Sequence, residues 1–150
     1  MRAVIQRVSQ ASVSVDYDLV GRIDQGLLVL LGVEQNDSSA DLAYMVKKTI
    51  GMRIFEDQEG KMNLSIQQVV GQILVVSQFT LLGDLRKGNR PSFVDAAPPE
   101  QANKMYERFV SSIRDESIEA QTGVFGAKMQ VQLVNDGPVT ILLDSRLAKR

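Results

Sequence analysis

The stretch from Gly71 to Thr80 leaves this chain few choices of fold. Ile73, Leu74, Val75 and Val76 form a run of β-favouring apolar residues, too short for a helix and apolar on both sides of an extended backbone. The run therefore predicts a strand covered on both faces. Residues 27–31, Leu-Leu-Val-Leu-Leu, repeat the pattern and predict a second central strand. Ser77, Gln78 and Thr80 then bring polar side chains to the end of the first strand, where they need either partners or a ligand. On these residues alone, a turn with side-chain-to-backbone bonds answers the need as well as a substrate does.

The remaining patterns place strands and two helices around that pair. Ala11, Val13 and Val15 alternate with Ser12, Ser14 and Asp16, a strand with one apolar face, followed by a turn near Tyr17 and Asp18 and a break at residues 24–26. Ser38 and Asp41 have the spacing of a capping box, Leu42, Met45, Val46, Thr49 and Ile50 recur at helical intervals, and Gly51 suits a left-handed cap. The acidic residues 56–60 predict a turn between two short strands. Residues 81–94 predict a loop. Pro98 and Pro99 open a second helix, whose stripe of Ala102, Met105, Tyr106, Phe109 and Ile113 reads as core. Residues 118–143 return to strands, with a turn at residues 135–138. The sum is an α+β chain, a single domain over residues 1–150, in which antiparallel strands are capped by two α-helices.

The composition removes whole classes of chemistry. With no cysteine and no histidine, the 150 residues hold no disulfide, no thiolate nucleophile, no Cys/His zinc site and no internal Ser-His-Asp triad. A metal would need an all-oxygen site, and the carboxylates are too scattered to suggest one, so neither metal nor cofactor is expected. The net charge of −1 gives no global attraction for nucleic acid, so any RNA contact has to be local. Arg2 and Arg7 interrupt the first apolar run, and nothing approaches the roughly 20 apolar residues that span a bilayer. The expectation is a cytoplasmic protein without membrane contact.

Four separated motifs carry more information together: the opening residues 1–8, Ser77 to Thr80, Asn89 to Phe93, and residues 135–140 (Asn-Asp-Gly-Pro-Val-Thr). In this order and spacing they resemble the D-aminoacyl-tRNA deacylases over essentially the whole chain. The resemblance implies a closed or nearly closed β-barrel-like core with helices against it. It implies a cofactor-free homodimer, with active sites at the subunit interface, that hydrolyses the ester at the 3′ acceptor end of D-aminoacyl-tRNA. It also implies that Gly137 and Pro138 are joined by a cis bond and enter the partner's active site, where an L side chain collides with their backbone. Glycine, lacking a side chain, escapes that exclusion, so glycine mischarged on tRNA is an expected substrate. From the residues alone, Gly137-Pro138 is a trans turn between strands.

The same resemblance assigns further roles. Asn135 and Thr140 brace the Gly-Pro segment, and Arg7 holds it across the interface, although by itself Arg7 fits an edge strand equally well. Phe125, Gly126 and Met129 line a pocket for the terminal adenosine with Ala102 at its edge. Read without the family, Phe125 and Met129 are core. An aminoacyl ester is already activated, so a site without His or Cys need mainly hold it, stabilise the oxyanion and admit water. Backbone N–H groups around Gln78 and Phe79 are the expected oxyanion donors. Thr80 lacks a neighbouring base and is expected to position groups rather than attack, with the substrate's own 2′-hydroxyl assisting. The cations of residues 86–90 read either as a solvated loop or as phosphate contacts. Two other readings remain at this point: a related deacylase that removes L-alanine, with the Gly-Pro pair turned outward, and a non-catalytic module that binds an RNA end.

Overall fold

The computed structural model describes residues 1–148. Its framework is a six-stranded sheet organised by β1 (Arg2–Val15). One edge of β1 pairs along its length with β8 (Gln130–Asp144). The other edge pairs first with β3 (Gly26–Gly32) and then with β2 (Asp18–Ile23), both antiparallel. Beyond β3 lie β6 (Gln72–Ser77) and β7 (Ala120–Thr122), and both of these ladders are parallel. The expectation of antiparallel pairing thus fails at the central strands. A parallel neighbour needs a long crossover, and the chain between β3 and β6 supplies one by carrying a helix and a separate hairpin of β4 (Phe55–Glu56) and β5 (Met62–Leu64).

Alternation along the two central strands explains their continuous apolarity. Leu27, Val29, Leu31, Ile73 and Val75 join the core beneath the helices, while Leu28, Leu74 and Val76 face a second core with Val8, Ala11, Val13 and Ile23. The second core is enclosed because β2 curls over the sheet. At Gly21 a side chain would meet Thr122 O at 2.7 Å and the Leu74 side chain at 3.3 Å, an approach only glycine permits. The result is a nearly closed barrel with two helices, as the α+β reading and the resemblance implied, but its sheet is mixed.

Helix α1 (Ser39–Gly51) begins with the expected capping box: Ser38 N–H donates to Asp41 Oδ2 at 2.9 Å, and Asp41 N–H to Ser38 Oγ at 3.4 Å. Burial works to raise the Asp41 pKa. The Ser38 hydroxyl and N–H, Ser145 and the Met1 ammonium outweigh it and hold the carboxyl well below the usual range. The other end of α1 differs from expectation. Gly51 is helical, and Met52 closes the helix in an extended conformation by donating its N–H to Lys48 O at 3.0 Å. Helix α2 (Pro99–Asp115) starts at Pro99 and buries the whole predicted stripe together with Val110.

The second correction concerns residues 135–138. They form no turn between strands, since β8 runs on from Gln130 to Asp144. In the ladder with β1, Gln6 faces Thr140 and Val8 faces Asn135, so the four residues 136–139 stand opposite Arg7 alone. The surplus backbone bulges outward as an elbow, with the Gly137-Pro138 bond cis. A turn would have separated two short strands; the long uninterrupted β1 keeps both halves of β8 on one ladder.

Candidate active site

The end of β6 opens into a cleft of about 820 Å³. Ser77, Gln78, Phe79 and Thr80 form one wall, Ala102 of α2 another, and Phe125, Gly126 and Met129 a third. The sequence motifs separated by up to 52 positions are thus brought together at one place. The polar end of β6 sits there because Ile73 to Val75 are committed to the two cores; Val76 packs in the second core and also borders the cleft, and Ser77 is the first polar residue of the strand to face it. Phe125 and Met129 are neither plain core nor plain surface. Each packs one side against a core, Phe125 with its ring 5.9 Å from that of Tyr106, and shows the other to the cleft.

A short 3-10 helix, Phe79–Leu82, follows β6 and turns the backbone across the cleft. Gln78 N–H is already donated to Leu31 O at 2.8 Å, so it is not a donor for an oxyanion, contrary to expectation. The N–H groups of Phe79 and Thr80 open the 3-10 helix, where no earlier turn supplies an acceptor. Gln78 Nε2 donates to Thr80 Oγ1 at 3.1 Å, orienting the hydroxyl without being able to deprotonate it. Beneath the cleft, burial pushes the Tyr106 phenol up to about 12, against a hydrogen bond with Thr122 and the Arg114 charge. Its hydroxyl stays protonated at neutral pH and donates to Val75 O at 2.9 Å, so it cannot serve as a base either.

The remaining predicted residues gather at the elbow instead. Arg7, only 5% exposed, donates to Asp136 O at 3.0 Å and to Ile54 O at 2.7 Å, and its guanidinium lies 3.5 Å from Asp136 Oδ2. The hold on the Gly-Pro segment is therefore within one chain, where the sequence reading had put it across an interface. Asn135 accepts Val139 N–H on Oδ1 at 3.1 Å and donates Nδ2 to Thr140 Oγ1 at 3.0 Å, so both polar side chains bond across the base of the elbow. At Gly137, where φ is +137°, a side chain would stand 2.7 Å from Val139 Cγ2 and 3.2 Å from Arg7 Nη2. Gly137 and Pro138 are exposed and do not line their own chain's cleft. They lie six residues beyond Val131, the last lining residue of β8, on the order of 20 Å along an extended strand.

Sequence reasoning gave Phe93, Ala97, Pro98 and Pro99 no place in the site, yet they also line the cleft. Phe93 ends one of the four motifs, the only signal that pointed to it. The prolines were read as a helix start, and that is also how they come to the rim.

Comparison with known proteins places the chain in a family. The family model described as D-Tyr-tRNA(Tyr) deacylase matches residues 4–144. A D-aminoacyl-tRNA deacylase of Desulfitobacterium hafniense is 60% identical over 145 residues, 97% of each chain. Another, from Thermosipho africanus, is 56% identical over 146 residues, covering 97% of this chain and 98% of that one. Among solved structures, one described as a c-Myc DNA unwinding element binding protein superposes with a TM-score of 0.90 at 43% identity, covering 96% of this chain and 98% of that one. A probable eukaryotic D-amino acid tRNA deacylase has a TM-score of 0.80 at 21% identity, covering 95% and 97%, a likeness of fold alone.

Proposed function

The chain belongs to the D-Tyr-tRNA(Tyr) deacylase family and is a hydrolase of the ester bond of D-aminoacyl-tRNA; from that premise we propose how its two groups of residues divide the work. The cleft takes the terminal aminoacyl-adenosine, and the elbow of a second copy closes over it as the chiral filter. In this reading the protein is an enzyme, not a passive binder of RNA ends. It acts on D-aminoacyl-tRNA and on glycine mischarged on tRNA, in the cytoplasm where that substrate is made, with residues 1–150 working as one domain.

The observation that carries the proposal is the separation between elbow and cleft. A backbone loop braced by Arg7, Asn135 and Thr140, exposed at its tip, cannot reach a cleft on the order of 20 Å away in its own chain. It can reach the cleft of a partner. The outer edge of β8 supports such a partner: it pairs with no strand among the described residues, and Val134 and Leu142 on that strand are 47% and 79% exposed. A homodimer related by a two-fold axis would place two elbows in two clefts at once.

Within the cleft, Phe79 and Thr80 N–H groups are the remaining oxyanion donors, each worth on the order of 3 kcal/mol where such donors have been removed. Thr80 Oγ1 orients water or substrate, and the neighbouring 2′-hydroxyl of the terminal ribose supplies the assistance that no side chain offers. Chirality is then decided by collision. Carbonyls and Cα atoms of the elbow occupy the space of an L side chain, while a D side chain points away and glycine has none.

Deacylation of D-Tyr-tRNA by Thr80→Ala, compared with that of a substrate lacking the terminal 2′-hydroxyl, tests the chemistry. The variant is expected to retain substantial activity and the deoxy substrate to be poorly cleaved. Loss of activity in the variant alone would make Thr80 the nucleophile and refute the assignment. Parallel incubation with L-Tyr-tRNA and L-alanyl-tRNA should give no release, which separates this enzyme from one of opposite chirality.

A further inference from the structure

The mouth of the cleft holds side chains that the proposed handling of an aminoacyl-adenosine leaves unused. Phe79 is 55% exposed there, yet it is held against Phe93 edge to face, with ring centroids 5.0 Å apart and planes at 72°. An aromatic ring fixed by a neighbour and left open to water presents a ready surface for another flat group.

Just beyond it, residues 84–92 form a loop closed by two backbone hydrogen bonds between Asp84 and Ser92, at 2.8 and 2.9 Å. The loop is tied to the 3-10 helix that carries Phe79. A side chain at Gly83 would stand 3.1 Å from Phe93 Cε1 and 3.5 Å from Pro91 Cβ, so the returning strand of the loop lies directly over that glycine. Arg86, Lys87 and Arg90 concentrate positive charge here in a chain whose net charge is −1. Arg86 is occupied by Asp84, with Nε 3.0 Å from both carboxylate oxygens and Nη2 2.7 Å from one. That guanidinium and the Arg86 N–H hold the Asp84 carboxyl down at about 2. Lys87 and Arg90 are exposed and have no acidic partner among the described residues.

A single-stranded polynucleotide offers the complement of this mouth, a π face on each base and a negative charge on each phosphate. Resting on the reading of the cleft as the site of the terminal aminoacyl-adenosine, we propose that Phe79, backed by Phe93, stacks the base of the preceding nucleotide. Lys87 and Arg90 bind the phosphates of the single-stranded acceptor end. Arg86 serves the loop, not the RNA, by locking its shape through Asp84.

The experiment compares D-tyrosine esterified to adenosine alone, to a short single-stranded RNA ending in that adenosine, and to whole tRNA, over a range of salt concentrations. For the unmodified protein, KM should fall at least tenfold from the adenosine ester to the short RNA ester. The dependence of log KM on log salt should steepen by about 1.4, the single-strand value for two phosphate contacts. Lys87→Glu combined with Arg90→Glu should abolish both the gain and the added salt dependence. Phe79→Leu should lose most of the gain while keeping the salt dependence. The same charge change on α1, Lys47→Glu with Lys48→Glu, should keep both. Equal KM values for the adenosine and short RNA esters in the unmodified protein would overturn the proposal, as would an intact gain in the loop variant or an equal loss in the α1 variant. A protein that cleaves none of the three esters overturns the reading of the cleft, and this inference with it.

Discussion

The cleft and the elbow are built from opposite materials. Around the cleft, side chains form the walls, and the strand beneath is supported on both faces by buried residues such as Leu74 and Val75. At the elbow the exposed Gly137 and Pro138 present backbone, and the side chains of Arg7, Asn135 and Thr140 stand behind it as struts. On the proposed reading, the difference teaches how one small domain would divide binding from selection. Apolar walls accept many ligands, because burial is non-directional. Refusing one enantiomer requires atoms that do not yield, and a braced main chain yields less than a rotamer-rich side chain.

The largest effect should come from separating the two regions on different protomers. Ala102→Trp, which fills the cleft, is expected to reduce D-Tyr-tRNA hydrolysis by at least about a thousandfold, since the pocket must enclose the ligand. Gly137→Ala strains the elbow and leaves the cleft intact. If the elbow serves a partner, refolding the two variants together should restore stereoselective hydrolysis to about a quarter of the parent level, because half the dimers are mixed and each has one complete site. No restoration in a mixture shown to contain mixed dimers would return the elbow to its own chain.

Arg7→Met should come next. It removes a buried cation that bonds Asp136 O and Ile54 O, so the elbow loosens and the D-to-L preference falls at least tenfold, with a stability loss of about 2 kcal/mol measurable by urea titration. By contrast Thr80→Ala should lower the rate on D-Tyr-tRNA by several-fold at most and leave the D-to-L ratio unchanged. A changed ratio there would erase the division between the regions.

The smallest effect lies outside both. Asp41→Asn disturbs the α1 cap and should cost about 1 kcal/mol near neutral pH without touching chirality. Because the folded pKa of Asp41 is depressed, its contribution is fully present above the unfolded carboxylate value and is lost as pH falls below it towards the folded value. Parent and variant should therefore converge in stability below about pH 4, as followed by thermal melting.

Much of this molecule is legible in the linear chain because the signals are local. The capping box at Ser38, the Pro99 helix start, the buried stripe of α2 and the doubly covered strand at Ile73 each depend on neighbours within a few positions. Only part of the cleft lining, Ser77 to Thr80, Ala102, Phe125, Gly126 and Met129, was also named in advance, the last four through a resemblance of spaced motifs; from the residues alone Phe125 and Met129 were core. Gly51 misled because glycine permits a left-handed cap without requiring one.

What only the tertiary structure decided were the relations between distant segments. The parallel course of β3, β6 and β7 depends on a crossover whose direction no strand pattern records. The sequence around Asn135 reads as a turn, since Asn, Asp, Gly and Pro favour one, yet the long ladder with β1 holds the chain extended on either side and expels four residues as a bulge. The Gln78 N–H, free on paper, is taken by Leu31 across the sheet. Periodicity and caps follow from interactions a few residues long, so the chain determined its own elements; which edge each strand found, and which backbone groups were left for chemistry, depended on contacts that form only after the elements meet.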